Sequence, residues 1–250
     1  TKALLCLPSE YIAGKMMLVR AMIAGWDLYS TSPEKNPLGK FDQDFDFTAM
    51  VPYQVHHSLP ELHKVKKMIV GGGAVSNKLE KQIQQLETKI YASYGMTETI
   101  SHIAIRSLNG TERESVFRAL PNVRFSQNEN ACLQIEAPSI SGEMVITNDV
   151  VELLSPTSFK LMGRIDNVIN TGGIKVHPEM IEEKLAVHLD MPFFIASIKD
   201  ELLGAKVVLI IESNTPLEWD VISSIFNGIS PYGKPKKILT LQKFFSTEKG

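Results

Sequence analysis

Residues 93–98 read Ser-Tyr-Gly-Met-Thr-Glu, which puts an aromatic ring, a glycine, a hydroxyl and a carboxylate side by side. These residue types suit a nucleotide that carries a divalent cation. Tyr94 can stack on a purine, and Gly95 permits a turn that a side chain would block. The Thr97 hydroxyl can donate to a phosphate oxygen, and Glu98 can hold a magnesium ion that also touches the phosphates. The same residues also suit a capped turn with a solvated acid. Upstream, Gly71-Gly72-Gly73 lets a flat ligand approach the backbone closely. It is not the dinucleotide fingerprint G-x-G-x-x-G, because position 76 is Ser, and no Lys-Ser or Lys-Thr follows to make a P-loop. A tight turn from strand to helix accounts for the same three glycines. No Cys/His spacing suggests zinc.

The elements that must position these residues follow from periodicity and turn signals. "ALLCLP" reads as a buried strand. Residues 13–24 carry Met16, Met17, Val19, Met22 and Ile23 at helical spacing, and 27–29 suit a second strand. A Pro-, Gly- and charge-rich loop covers 32–46. "KKMIV" runs into the three glycines, Ser76 suits the N-cap of a helix through Leu86, and "KIYASYG" is the next strand. Strand, glycine turn, helix and strand in alternation argue for a parallel α/β layer. After Ile100, "HIAIRSL", "CLQIEA", "EMVIT", "VELL" and "SFKLMGR" are short β-like runs split by Gly, Asn, Pro and Ser, an antiparallel, barrel-like or meander section. "NVINTGGIKV" reads as a hairpin with a glycine turn. "PEMIEEKLAVHL" then reads as a helix with Pro178 in its first turn, and "FFIASIKD" and "KVVLIIES" as strands. Thr215 to Glu218 fits a capping box opening a helix to about Phe226, and "KKILTLQ" reads as the last strand. This second rhythm suggests a separate small α+β domain with its boundary near Asp166.

The 250 residues allow one large domain or two smaller ones. A hydrophobic fraction of 44% and a charged fraction of 22% are ordinary for a globular protein, and a net charge of -2 gives no polybasic nucleic-acid signature. The longest apolar runs, such as 206–211, are far too short to span a bilayer, and Thr1 to Leu7 lacks the pattern of a signal peptide. Cys6 and Cys132 lie in apolar runs far apart, as expected of buried free thiols in a reducing cytoplasm.

Taken together, the motifs carry a resemblance. "SYGMTE" resembles the signature of adenylate-forming enzymes, the superfamily of acyl-CoA synthetases, adenylation domains and luciferases. "LPSEYIAG" resembles their "LPxxHxxG" segment near the acyl pocket, and "GGGAVS" their glycine turn beside adenine and the acyl group. "ITND" is similar to their "TGD", with Asn148 in place of Gly and Asp149 retained, and "GRIDNVINTGGIKVHPEMIE" to their hinge and the loop after it. Five motifs in order, from about Ala3 to Gly250, are specific where each alone is weak. The implied fold class is α/β. Residues 1–165 would be the C-terminal portion of the large AMP-binding domain, an α/β layer plus a β-barrel-like subdomain, and residues 166–250 a small mobile α+β domain.

The resemblance also implies roles. Tyr94 would stack on adenine, beside Gly72 and Gly73. Thr97 would contact the α-phosphate and Glu98 would bind magnesium, the two acting as the catalytic pair. Asp149 would accept hydrogen bonds from both ribose hydroxyls, as an acceptor-only carboxylate can, and Arg164 would also reach the ribose. A surface acid and a salt-bridged Arg164–Asp166 pair are the structural alternatives. Asp166 would be the hinge of the small domain, and Gly172 and Gly173 would line the tunnel for the thiol. The implied cofactors are ATP, Mg2+ and CoA as co-substrate, and the partner is a small-molecule carboxylic acid, with no nucleic acid and no membrane span.

The departures are as informative. The phosphate loop of the family precedes its first matched segment and is missing here. Tyr11 replaces the family histidine of "LPxxHxxG", and Lys249 lies on the wrong side of Gly250 to be the catalytic lysine of the late "GK" motif. A fragment of a longer chain is the simplest account, and it implies poor ATP turnover by the 250 residues alone. "YGMTETISHIAIRSLNG" and "ALPNVRFSQNENACLQI" resemble the compact o-succinylbenzoate–CoA ligases of menaquinone biosynthesis. There the strand after the signature borders the aromatic acid, which makes Ser101 and His102 candidates for its carboxylates. Arg20 and Lys15 could supply positive charge instead, and "GKPKK" at 233–237 could meet CoA phosphates or be a solvated turn. Two alternatives stand beside this reading: an adenylation domain loading an amino acid or aryl acid onto a carrier protein, and a non-catalytic nucleotide-binding fragment.

Overall fold

A computed structural model describes residues 1–215 and 223–244. Strands β1 (Lys2–Leu5), β2 (Asp27–Ser30), β3 (Phe45–Met50), β4 (Val65–Val70) and β5 (Lys89–Gly95) are parallel neighbours. Helix α1 (Ile12–Ala24) connects β1 to β2, α2 (Pro52–His57) follows β3, and α3 (Asn77–Ile83) connects β4 to β5. Six further strands continue the sheet: β6 (His102–Ser107), β7 (Phe117–Ala119), β8 (Arg124–Gln127), β9 (Cys132–Glu136), β10 (Val145–Ser155) and β11 (Ser158–Arg164). The 11-stranded order is β2-β1-β3-β4-β5-β6-β7-β11-β10-β9-β8. Pairing turns antiparallel at β5–β6 and stays so through β6–β7 and β7–β11. After it come the hairpin β12 (Ile169–Thr171) and β13 (Ile174–Val176), helix α4 (Pro178–Leu185), and a three-stranded sheet of β14 (Phe193–Asp200), β15 (Gly204–Glu212) and β16 (Lys237–Leu241). No helix among the described residues is long and apolar enough to cross a membrane.

Within the parallel strands the chain order reverses between β1 and β3, since β2 lies on one side of β1 and β3 to β5 on the other. Ligands of open α/β sheets bind beyond the carboxyl ends of the strands at such a reversal. The carboxyl ends of β1, β4 and β5 carry the segments beginning at Leu7, Gly71 and Ser93, three of the five family-like motifs.

The chain divides into two compact units, Thr1–Glu129 with Leu133–Thr147 and Glu152–Leu161, and Met162–Gly250 with Asn130–Cys132 and Asn148–Val151. The core of the first includes Leu4, Met17, Phe45, Met68, Ile90 and Phe159, all fully buried. Its Cys6 is a free thiol under β3, in contact with the Thr48 hydroxyl, and burial pushes its pKa up to about 11, which keeps it protonated and inert. The second unit closes over Val176, Ile181, Leu185, Ile195, Leu209 and Phe226. Ile181 and Leu185 fall one helical turn apart on α4, so one face of the helix supplies both.

Several boundaries differ from the sequence expectation. The Ser76 N-cap is present, its hydroxyl accepting from Leu79 N at 3.2 Å, but α3 ends at Ile83 rather than Leu86. Gln84 is its C-cap, with its side-chain amide donating both to Glu80 O at 2.6 Å and to Leu108 O at 2.8 Å. "EMVIT" and "VELL" do not form two strands: β10 runs on through Asn148 and Asp149, because sheet pairing overrides the poor strand propensity of those two residues. Strand β3 and helix α2 were hidden behind the charged loop that precedes them. Most of the segment from Thr215 to Glu218 lies outside the described residues, and Ser223–Phe226 forms a 3-10 turn.

In the second unit Glu182 clamps α4 to β14 by accepting from Ile195 N at 2.7 Å. Burial raises its carboxyl pKa, the Ile195 N–H works against the rise, and the neighbouring Glu179 charge adds to it. A folded-state pKa above the unfolded one means that the native unit binds this proton more tightly. The contribution to stability is therefore full below the unfolded pKa and is lost as pH climbs through the folded pKa. Glu182→Gln should show no such loss. Urea-unfolding free energies at matched pH should give a difference, variant minus parent, that grows as pH rises above the ordinary glutamate pKa and then levels off; a difference that stays flat contradicts the assignment.

Candidate functional site

The first unit gathers its candidates at the carboxyl edge of the parallel strands. Gly71 N donates to Met50 O at 3.2 Å, and Ser93 Oγ donates to Val70 O at 3.1 Å, so the glycine turn lies between the ends of β3 and β5. A Cβ on Gly71 would come within 2.6 Å of Ser93 Oγ, and one on Gly72 within 3.3 Å of Val51 Cγ1. Gly73 borders Pro52.

At the end of β5 the pairing with β6 shifts register between Tyr94 and Gly95. The chain folds back so closely that a Cβ on Gly95 would lie 2.3 Å from Ser101 O and 2.6 Å from His102 Cα, which only glycine allows. A 3-10 turn over Thr97–Thr99 follows. Thr99 is buried and braces it: its hydroxyl accepts from Met96 N at 3.0 Å and reaches Ser101 O at 2.8 Å. Ile100 closes the loop at φ 61°, with Ser101 N donating to Thr99 O at 2.5 Å. A β-branched residue in that conformation stores strain, which such sites sustain only when surrounding bonds fix them. In the sequence Thr99 is only a second hydroxyl beside Glu98 and Ile100 the start of an apolar run; no compositional signal marks the bracing role of the one or the φ of the other.

The expected residues land as follows. Tyr94 is 8% exposed, with its ring edge-on to Phe159 at 5.1 Å and tilted against Phe117 at 5.7 Å. Thr97 and Glu98 are exposed, and among the described residues their side chains have no partner. One exposed carboxylate beside a hydroxyl fits magnesium, which takes one or two protein carboxylates and completes its shell with phosphate oxygens and water. No cluster of three His, Cys, Asp or Glu among the described residues could hold a metal by itself.

Ser101 and His102 meet the guanidinium of Arg20 from α1. One terminal nitrogen of Arg20 donates to Ser101 Oγ at 3.1 Å and to His102 Nδ1 at 3.1 Å. Arginine can only donate, so Nδ1 is the acceptor and the imidazole proton sits on Nε2. Burial lowers the His102 pKa, and the Arg20 charge lowers it further, so the ring is neutral at pH 7. Burial also lowers the Arg20 pKa, but an arginine stays charged in any accessible range. Arg20 is part-buried, and among the described residues no carboxylate pairs with it. The result is a fixed cation, oriented by two neutral groups, with N–H donors to spare.

The second unit gathers another set. Arg164 spans Asp149 and Asp166, with N–H groups 3.5 Å from each carboxylate. The Asp149 side chain is 14% exposed, whereas that of Asp166 is 61% exposed. Asn148 Nδ2 donates to Asp166 Oδ2 at 3.2 Å. Gly172 and Gly173, at φ 58° and 81°, form the two-residue turn of the β12–β13 hairpin, a conformation glycine adopts without cost. Gly172 N donates to Leu203 O at 2.9 Å, which docks that turn on the tip of the β14–β15 hairpin.

No protein-family model matches the chain. It is similar to the 2-succinylbenzoate–CoA ligase of Escherichia coli K12, 25% identical over 255 residues, which make up 95% of this chain and 55% of that protein. The chain thus spans about half the length of the curated relatives it matches. Among solved structures, a protein of Dyadobacter fermentans described as acyl-CoA synthetase (AMP-forming)/AMP-acid ligase II-like is 39% identical, covering 99% of this chain and 75% of that one at a TM-score of 0.65. The o-succinylbenzoate coenzyme A synthetase of Bacillus subtilis, in complex with ATP and magnesium ion, shares the fold at 16% identity, with a TM-score of 0.77 over 97% of this chain and 58% of that one.

The Arg20 contact makes a titration prediction. Arg20→Met should let the His102 pKa rise, yet leave it below the ordinary histidine value, because burial is the larger cause and remains. Imidazole nitrogen shifts followed by NMR across the titration would read both effects, and an unchanged or lower His102 pKa in the variant would refute the contact.

Proposed function

The chain belongs to the family of AMP-forming acyl-CoA synthetases and AMP-acid ligases, and from that premise we propose that it serves the ATP-dependent activation of an aryl carboxylate and its transfer to CoA, as an o-succinylbenzoate–CoA ligase of menaquinone biosynthesis. The observation that carries the substrate class is Arg20, a part-buried cation held by Ser101 and His102 with no protein carboxylate opposite it among the described residues. Such a group awaits an anion from outside. A carboxylate of the aromatic acid fits, because arginine presents paired N–H donors in the geometry that carboxylates accept. An amino-acid substrate would instead need an anion to meet its ammonium group, which argues against the adenylation-domain alternative.

In the first step a carboxylate oxygen attacks the α-phosphorus of ATP, the bond to pyrophosphate breaks, and an acyl-adenylate forms. The barrier is largely the approach of two anions, so donors placed where charge accumulates lower it most. Thr97 donates to an α-phosphate oxygen. Glu98 would hold magnesium, which would supply positive charge to neutralise the phosphates. Tyr94, Gly72 and Gly73 border the adenine, and Asp149 takes the ribose diol with Arg164 beside it. In the second step the CoA thiolate attacks the acyl carbon and AMP leaves with the bonding electron pair. Asp166 is the hinge about which a small domain, residues 166–250, changes its face, and Gly172 and Gly173 border the thiol path. Use of ATP and CoA supports a cytoplasmic location as part of this reading. The phosphate loop and a terminal lysine, absent from these residues, would come from elsewhere for full turnover, and without them the reading reduces to a nucleotide-binding fragment.

Calorimetric titration with a non-hydrolysable 2-succinylbenzoyl-adenylate analogue tests the proposal. The parent chain should bind it. Arg20→Met should bind it roughly 10–100-fold more weakly, the worth of a hydrogen-bonded charge, while binding AMP as the parent does. No binding by the parent, or equal binding by the variant, would end the reading.

A further inference from the structure

Asn148 stands where the "TGD" pattern that "ITND" resembles has a glycine. In the structure its side chain has a definite partner. Asn148 Nδ2 donates to Asp166 Oδ2 at 3.2 Å, the shortest polar contact that the Asp166 carboxylate makes. Arg164 also approaches that oxygen, but only at 3.5 Å and while divided between two carboxylates. The next residue, Asn167, is held from the other direction. Its Nδ2 donates to Glu179 Oε1 at 2.6 Å, and Arg164 N approaches the same oxygen at 3.4 Å. The second Glu179 oxygen is buried against Gly163, whose Cβ position would lie within 2.3 Å of it.

The short turn after β11 is therefore gripped twice, and the two grips are unequal. The grip on Asn167 reaches forward to α4 through a largely enclosed carboxylate and a short bond. The grip on Asp166 reaches back to β10 through one exposed amide at the long end of hydrogen-bonding distance. We propose that Asn148 is a positioning residue: its side chain is a breakable tether that fixes the Asp166 carboxylate and with it the course of the chain leaving β11. A glycine at 148 offers no donor, so the tether belongs to this chain and not to the pattern it resembles. If residue 166 is the hinge, which rests on the function proposed above, turning about it leaves the Asn167–Glu179 bond intact but requires the Asn148 tether to break, together with the long approach of Arg164 N to Glu179 and the packing of Glu179 on Gly163. A single exposed hydrogen bond is weak enough to break and re-form in every cycle.

Amide hydrogen exchange on the full chain, without ligand, tests this. The readout is the Val168 amide, which closes the turn by donating to Ile165 O at 3.2 Å, against the Val208 amide of β15 as reference. Asn148→Ala should speed Val168 exchange about two- to ten-fold and leave Val208 unchanged. Asn148→Asp, which sets a second carboxylate beside Asp166, should speed it more. The exchanged pair Asn148→Asp with Asp166→Asn restores a donor and an acceptor, and should recover most of the protection; a merely structural role for strand residue 148 would give no such recovery. Parent-like exchange in Asn148→Ala, or an exchanged pair as fast as Asn148→Asp, would overturn the tether. Because no nucleotide or acid is needed, a failure of the ligase reading leaves this result standing, and the reverse also holds.

Discussion

A guanidinium withdrawn part of the way from water, with no carboxylate to meet it among the described residues, is the feature on which the first unit turns. Desolvation disfavours the charge, and arginine cannot escape by losing its proton. Two neutral acceptors, Ser101 Oγ and His102 Nδ1, orient the group without cancelling its charge. A structural arginine would be expected to have its countercharge in the fold, as Arg106 does: it pairs with the buried Glu80, which Arg113 also reaches. The contrast between Arg106 and Arg20 within one unit separates an ion pair that holds strand and helix together from a cation with no carboxylate partner among the described residues.

Everything that keeps Arg20 in that state is built at the carboxyl edge of the sheet. Gly95 lets the chain fold back against Ser101, Thr99 braces the turn, and Ile100 accepts an unfavourable φ so that residues 101 and 102 follow at once. Thr97 and Glu98 are left exposed at the outside of the same turn, their side chains without a partner among the described residues. One turn thus orients Arg20 from its second half and, in the function proposed above, would offer groups to a nucleotide from its first. The second unit uses a different economy of charge, in which Arg164 lies between two carboxylates and hydrogen bonds from Asn148 and Asn167 hold the turn that follows β11.

Much of this was legible in the residues. Strand, glycine turn, helix and strand in alternation announced the parallel layer, and the two glycines at 172 and 173 announced the hairpin they close. Tyr94 shares strand parity with Ile90 and Ala92, a sign of burial that the expectation of adenine stacking did not use. What stayed hidden depends on distance along the chain. Arg20 and Ser101 are 81 residues apart, and only the docking of α1 beside the start of β6 makes one site of them. Asn148 and Asp166 are 18 apart, and their bond exists because β10 continues through a pair of residues that local propensity would assign to a turn. The φ of Ile100 is set by the bonds around it and has no signature in its own side chain.

The central claim, that Arg20 is kept for the carboxylate of an incoming acid, is most directly tested by a crystal structure of the chain soaked with 2-succinylbenzoate. The account predicts a carboxylate oxygen within hydrogen-bonding distance of the Arg20 guanidinium, with Ser101 and His102 still in contact with it. A carboxylate bound elsewhere with Arg20 unaltered, or Arg20 turned away to an acid of the protein itself, would contradict it.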